Sequence, residues 1–161
     1  MKSKKSWKTK FEETCSQGFP KVIRITKEQS GMWGTKEGDT IAIPSPMDIL
    51  EIIRTIPRGY VTTVNLIREV LSRKYGVSLT CPITTGIFLM IVANMAEEES
   101  AGKESSIPYW RLLKSRGEIN PKYPGGIEKN VELLKMEGHE FIFRKNNVIV
   151  KDWDKKLWNN F

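Results

Sequence analysis

Ile107-Pro-Tyr-Trp-Arg-Leu-Leu-Lys-Ser-Arg-Gly-Glu-Ile-Asn-Pro-Lys-Tyr-Pro-Gly-Gly126 is the stretch on which the reading of this chain turns. Its first seven residues are apolar or aromatic except for Arg111, too apolar for a plain surface loop. Its last seven contain Pro121, Pro124, Gly125 and Gly126, which no single helix accommodates. Such a segment crosses a core and then wraps a surface. The Pro108-Tyr-Trp-Arg111 head therefore belongs to the interior, and the question is what chemistry it carries there.

The flanking sequence is helical on both sides. Upstream, Ser45 reads as an N-cap with Pro46 at the first helical position. The spacing predicts a helix over 47–55 that buries Ile49, Leu50, Ile52 and Ile53 and stops at Pro57-Arg-Gly59. Thr62 or Thr63 caps the next helix. Its buried stripe is Val64, Ile67, Val70 and Leu71, with Arg68, Glu69, Arg73 and Lys74 outward and Gly76 as its stop. Cys81-Pro82 opens a longer helix from Ile83 that is almost wholly apolar to Ala96 and ends in Glu97-Glu-Glu99. A short helix, a turn and a second helix form a helix-turn-helix arrangement. Downstream, a helix over 127–137 is closed by Gly138. Glu140 to Lys151 then reads as a β-hairpin turning at Asn146-Asn147. The aromatic tail Trp153–Phe161 is expected to dock as a short helix. Toward the N-terminus, short strands are expected at Val22–Ile25 and Thr40–Ile43, separated by loop chemistry at Gly31–Gly34 and Lys36–Asp39.

Composition narrows the function classes. The chain has 161 residues, 39% hydrophobic, with five Trp, enough for one globular domain with extensions. A net charge of +7 favours polyanionic partners, nucleic acid first and acidic proteins or membrane surfaces second; a merely soluble basic protein is the plain alternative. Cys15 and Cys81 form no C-x-x-C pair, so zinc ribbons and dithiol redox motifs have no support. His139 is the one histidine, which argues against a histidine metal site and against a Ser-His-Asp triad that does not use it. No metal or cofactor is expected. No apolar run approaches the ~18 residues of a membrane span and no apolar segment follows the basic N-terminus as in a secretory signal. An intracellular, cytoplasmic setting is expected. Residues 1–10 carry five lysines (Lys2, Lys4, Lys5, Lys8 and Lys10) and no acid, which suits either an arm on phosphates or a frayed terminus.

Six pieces in order carry a resemblance. They are Ile56-Pro-Arg-Gly-Tyr-Val-Thr-Thr63, Thr84-Thr-Gly86, Ile107-Pro-Tyr-Trp-Arg-Leu-Leu113, Gly117-Glu-Ile119, Tyr123-Pro-Gly-Gly126 and Leu133-Leu-Lys-Met-Glu-Gly-His139. Together they span about 47–141 and resemble the DNA-binding domain of the methylated-DNA–protein cysteine methyltransferases and their alkyltransferase-like relatives. The resemblance implies a mostly α, α/β fold: a winged-helix-like alkyltransferase domain over 45–140. It would carry a basic N-terminal extension with short strands over 1–44, and a C-terminal hairpin and aromatic tail over 141–161.

The resemblance also locates the family's chemistry. The head of the opening stretch would read Pro-Cys-His-Arg-Val there, with Cys taking an alkyl group from a flipped guanine, His relaying a proton and a Glu orienting the His. Tyr109 stands at the Cys position, Trp110 at the His position, and Glu137 matches the orienting Glu. A phenol of pKa ~10 is no match for a thiolate and an indole relays no proton. The resemblance therefore implies a protein without alkyl transfer, like the relatives that bind alkylated DNA and flag it for repair. It would be a monomer on double-stranded DNA, with a repair protein as further partner and no membrane. Two departures touch the family's DNA grip. Ile83 stands where an Arg enters the base stack, and Val64 where a Tyr turns the target phosphate. An apolar wedge can unstack bases, but a DNA-facing helix should show polar side chains, and a helix buried on most sides reads equally well. DNA-contact candidates are Thr62, Thr63, Ile83, Thr84, Thr85, Arg111, Lys114 and Arg116, with Lys122 adding to the basic cluster. Arg111 reads better as an anchor for Glu137.

Three further readings stay open. Tyr109, Trp110, Tyr123 and Trp33 either line an aromatic pocket or pack as core. Cys81 at a helix start is a candidate reactive thiol, with a small buried residue as the plainer account. His139 reads as an ordinary surface or strand-edge residue. The alternative function is a scaffold repurposed for protein interaction or small-ligand binding that no longer flips bases.

Overall fold

The computed structural model describes residues 3–161; Met1 and Lys2 of the basic arm lie outside the described residues. The order of elements is α1 (Trp7–Cys15), β1 (Lys21–Arg24), β2 (Thr40–Ile43), α2 (Pro46–Thr55), β3 (Thr62–Thr63), α3 (Val64–Tyr75), β4 (Leu79–Thr80), α4 (Pro82–Ser100), β5 (Leu112–Leu113), α5 (Gly126–Met136), β6 (Phe141–Phe143) and β7 (Val148–Val150). Single 3-10 turns lie at Met32–Gly34, Tyr109–Arg111 and Trp153–Lys156. The described residues thus form a mixed α/β fold of five helices and small sheets.

Local chemistry sets the helix ends. Thr63 caps α3, its side chain accepting from the Leu66 N–H, and Gly76 closes it in the left-handed region at φ 65°. Ser45 occupies the N-cap of α2 but makes no side-chain capping bond. Its own N–H donates to the Tyr75 hydroxyl at 3.0 Å, and that hydroxyl donates to Asp48 at 2.7 Å. The α2–α3 corner is therefore tied by a tyrosine bridge in place of the expected serine cap. Pro46 occupies the first helical position, as expected.

α4 is the axis of the core. Phe88, Leu89, Val92, Ala93, Met95 and Ala96 are buried, packed among Ile49, Leu50 and Ile53 of α2 and Ile67 and Leu71 of α3. A helix that is apolar on every side is stable only when neighbours cover it, and α1, α2 and the Tyr109–Arg111 turn all pack against α4. From Trp7 onward the N-terminal segment is not frayed: α1 is a docked helix. Ser6 accepts from the Thr9 N–H, Glu98 accepts from the Trp7 and Lys8 N–H groups at 3.2 Å each, and Phe11 enters the core. A carboxylate on the first amides of a helix meets both the unpaired N–H groups and the positive end of the dipole. Lys5 pairs with Glu13 at 2.9 Å and Lys10 lies 3.9 Å from the centre of the Trp7 ring. These lysines thus engage α1 itself.

Three small sheets complete the fold. β1, β2 and β4 form one sheet, with β1 antiparallel to β2 (Lys21 opposite Ile43) and β2 parallel to β4 (Ile41 opposite Leu79). β3 and β5 pair in parallel, Thr62 opposite Leu112. β6 and β7 form the expected hairpin, and β7 also pairs on its other side with the 117–119 segment: Ile119 N–H donates to Val148 C=O and Val150 N–H to Gly117 C=O. A Cβ on Gly117 would collide with the Trp153 ring, so a glycine is required where the tail packs on this turn. The tail forms only one 3-10 turn and then runs extended, with Val61 opposite Leu157.

His139 differs from its expected surface place. It is buried, and neither ring nitrogen has a hydrogen-bond partner among the described residues. Burial, aided by the Lys156 charge, pushes its pKa below the ordinary value of 6.5, so the neutral imidazole is the resident form. No helix among the described residues is long and apolar enough to cross a membrane.

Candidate nucleic-acid interface

The Pro108-Tyr-Trp-Arg111 head is interior, as its composition requires, and its polar atoms are engaged within the chain. Tyr109 is fully buried and Trp110 nearly so. Tyr109 sits edge-on to both Trp110 and Tyr123, with ring centroids 5.4 Å apart in each pair. The Tyr109 hydroxyl donates to Glu97 at 3.1 Å, and Glu97 also pairs with Lys129. Burial first, then the Glu97 charge and hydrogen bond, drive the Tyr109 pKa well above that of a free phenol. The ring stays a neutral phenol. The Tyr123 hydroxyl donates to the Leu112 carbonyl at 2.7 Å.

Glu137 closes the other side. The Trp110 Nε1–H donates to Glu137 Oε1 at 3.0 Å, Arg111 Nη2 to the same oxygen at 2.7 Å, and Arg111 Nε to Oε2 at 3.0 Å. Arg111 Nη1 donates to the Ile56 carbonyl at 2.6 Å. The Glu137 and Arg111 side chains are only 1% and 12% exposed. An ion pair this buried persists because further hydrogen bonds satisfy both partners. Arg111 is therefore an internal anchor, and a phosphate could not reach it. Trp33 lies elsewhere, exposed on a 3-10 turn, so it is not part of the Tyr109 cluster. Tyr109, Trp110 and Tyr123 pack as core instead of lining a pocket.

The open surface lies at the start of α4. Gly86 borders two neighbouring hollows of about 250 and 270 Å³. One is lined by Val64, Asn65, Leu89, Lys114 and Ser115, the other by Ile83, Ile87, Met90 and Lys122; Asn120 borders both. An added Cβ on Gly86 would meet nothing within 4 Å. Packing inside the protein does not demand this glycine, which leaves bare backbone between the hollows. Lys114 and Arg116 are exposed on the adjoining Lys114–Gly117 turn, and Lys122 is exposed on the next turn, beyond Ile119. The former turn is held by the Gly117 N–H donating to the Lys114 carbonyl at 3.0 Å and by its pairing to β7.

The candidates separate. Ile83 is 61% exposed and Ile87, one turn on, 52%. Val64, Ile83, Lys114 and Lys122 converge on the hollows, with Arg116 on the same turn as Lys114. Thr62 and Thr63 are buried, Thr63 as a cap. The Thr84 hydroxyl oxygen is buried without a partner among the described residues. Thr85 is buried and donates to the Cys81 carbonyl at 2.7 Å. Cys81 is 8% exposed in a small cluster with Ile25, Ile41 and Leu79. Asn65, Ser115 and Asn120 are hollow-lining residues that the sequence reading did not single out. Ile87 and Met90 follow Ile83 at spacings of four and three, a one-face signal inside an otherwise featureless apolar helix. No group of three or more His, Cys, Asp or Glu side chains among the described residues is placed to hold a metal.

No protein-family model matches the chain, and no curated protein does. Two solved structures are similar to it: S. pombe Atl1 in complex with damaged DNA containing O6-carboxymethylguanine, at 20% identity and a TM-score of 0.49, and S. pombe ATL in complex with DNA, at 17% and 0.45. Each similarity covers 70% of this chain and 93% of the other.

Proposed function

We propose that this chain is a non-enzymatic DNA-binding protein of alkyltransferase-like type that senses alkylated bases for repair. In this reading residues 45–140 form a winged-helix-like domain, and the start of α4 meets the duplex. The observation that carries the proposal is Gly86: bare backbone between two hollows, bordered by Asn120, Lys114 and Lys122. Close backbone approach to a groove needs a residue without a side chain, and lysines beside it supply phosphate contacts. Ile83, exposed on the first turn, is placed to act as an apolar wedge against a base step.

The absence of alkyl transfer follows from the occupied head. A phenol attacks an alkyl carbon effectively only once it is deprotonated, and Tyr109 is a phenol whose proton is bound more tightly than in water. Proton relay needs a group that both gives and takes a proton. The Trp110 indole only donates, and its N–H is committed to Glu137. The Glu137 hydrogen bond that would orient a relay imidazole is thus retained, with an indole in its place.

The test is binding of labelled duplex, with and without an O6-alkylguanine, over a series of salt concentrations. Affinity that falls steeply with salt and rises with the lesion supports the proposal; no binding at low salt, or binding with no salt slope, overturns it. One observation favours a second reading, a protein-interaction module: the Ile83–Ile87–Met90 face is apolar where a DNA reader is usually polar. Ile83→Asp would abolish capture of a protein partner, and that reading gains only if duplex binding is absent in the unmodified chain.

A further inference from the structure

We propose that the β6–β7 hairpin is a separate nucleic-acid contact: Phe143 stacks on an unpaired base, and Arg144 and Lys145 hold the phosphates flanking it. Residues 141–149 contain no acid. Phe143 is 68% exposed, the highest value among the exposed large apolar residues, although a three-residue hairpin strand does not require it in that position. It shares a strand face with Phe141, ring centroids 6.1 Å apart, and Phe141 packs against the core. One ring is thus anchored and the next projects into solvent. Lys151 pairs with Glu140 at 3.6 Å, so Arg144 and Lys145 are the charges of the tip itself. An exposed ring followed in the chain by two exposed cations and the exposed Asn146 matches the chemistry of a single nucleotide strand. Every base has a face to stack, and every phosphate a charge to meet.

The register decides between nucleic acid and other partners. Glu118 lies opposite Ile149 in antiparallel pairing, and Ile119 donates to Val148. Going up β7 toward residues 144–147 therefore runs the same way as going from Ile119 toward Asn120 and Lys122. The hairpin tip lies at the Ile119 end of the ribbon, from which Asn120 and Lys122 depart, and the Lys114–Gly117 turn lies at the other end. A polyanion held at the Asn120 and Lys122 side of the α4 hollow has this tip ahead of it along the ribbon, which suits a strand leaving a duplex. An acidic peptide meets the same cations but brings Phe143 no base to stack on.

The hairpin residues are distinct from those of the α4 reading, and one experiment separates the two. Fluorescence anisotropy with a blunt duplex and with the same duplex bearing a single-stranded overhang is run on the full chain, on Phe143→Ala and on Arg144→Gln/Lys145→Gln. Each variant is first matched to the unmodified chain by thermal melting. The expected result is tighter binding of the overhang probe, a gain that Phe143→Ala reduces about tenfold. The double variant lowers the slope of log affinity against log salt by about 1.4, ~0.7 for each single-strand phosphate. Equal binding of both probes by the unmodified chain overturns the inference. So does a Phe143→Ala protein that still prefers the overhang. Phe143-dependent sedimentation with phosphatidylglycerol vesicles, with no effect on DNA, assigns the hairpin to a membrane and also overturns it. Phe143-dependent binding of the overhang probe without any binding of the blunt duplex sustains the hairpin and overturns the α4 reading alone.

Discussion

The Tyr109–Trp110–Arg111 turn and the Gly86 hollows place their polar groups in opposite ways. In the turn, the phenol, the indole N–H and the guanidinium each reach an internal acceptor, and Glu137 is almost sealed from water. At the hollows, Lys114, Arg116 and Lys122 are exposed to solvent around a glycine that packing does not require. Buried polar atoms without partners cost free energy, so an interior turn that carries a phenol, an indole N–H and a guanidinium is stable only if each is satisfied in place. An open surface carries no such demand. Its composition reflects what it touches. One region therefore holds the fold, and the other is available to a partner.

Four perturbations put that contrast at risk. The largest effect is expected at Glu137→Ala, which leaves Arg111 charged, buried and unpaired; a decrease of about 3–5 kcal/mol in urea unfolding is expected. A decrease under ~1 kcal/mol would mean the turn is far wetter than its hydrogen bonds indicate. Next is acid. His139 has a folded pKa below its unfolded one, so the unfolded chain binds the extra proton, and stability falls as pH drops below about 6.5. One proton accounts for at most about 1.4 kcal/mol per pH unit. Substituting His139→Gln should remove that part of the slope between pH 7 and 5. Third, Gly86→Ala should stabilise α4 by about 1 kcal/mol, since alanine is the better helix former and no clash results. The same change should weaken duplex binding; a variant more stable and equally tight would show that bare backbone is not what the partner meets. The smallest change in stability, within about 0.5 kcal/mol, belongs to Lys114→Gln/Arg116→Gln/Lys122→Gln. Its effect appears in binding instead, as a salt slope reduced by about 0.9 for each phosphate that is no longer neutralised.

Much of the fold was legible in local patterns. Thr63 and Gly76 mark helix ends whose unpaired amides and carbonyls are satisfied within a few residues, and Pro46 starts a helix where it has no N–H to satisfy. The hairpin is likewise a local matter of two β-rich runs and a turn. α1 also has a local signal: Ser6 precedes Trp7, Phe11 and Cys15 at four-residue spacing, a stripe masked by the surrounding lysines. The pairing of Arg111 with Glu137 was anticipated from the positions that the resemblance implies, and the buried fork of hydrogen bonds agrees with it.

That the Pro108–Leu113 head enters a core and carries no thiol or imidazole could be read from the amino acids alone, since side-chain chemistry does not depend on placement. Which part of α4 stays open could not, and it was set by packing between distant elements. A helix apolar on every side has no period to point its faces. Ile83 and Ile87 are exposed because no other element covers that face of its first turns, while Thr85, Phe88 and Leu89 on the other faces are covered. The burial of His139 was set in the same way, by the packed segments around it: a residue following Gly138 at a helix end has no local reason to be inside.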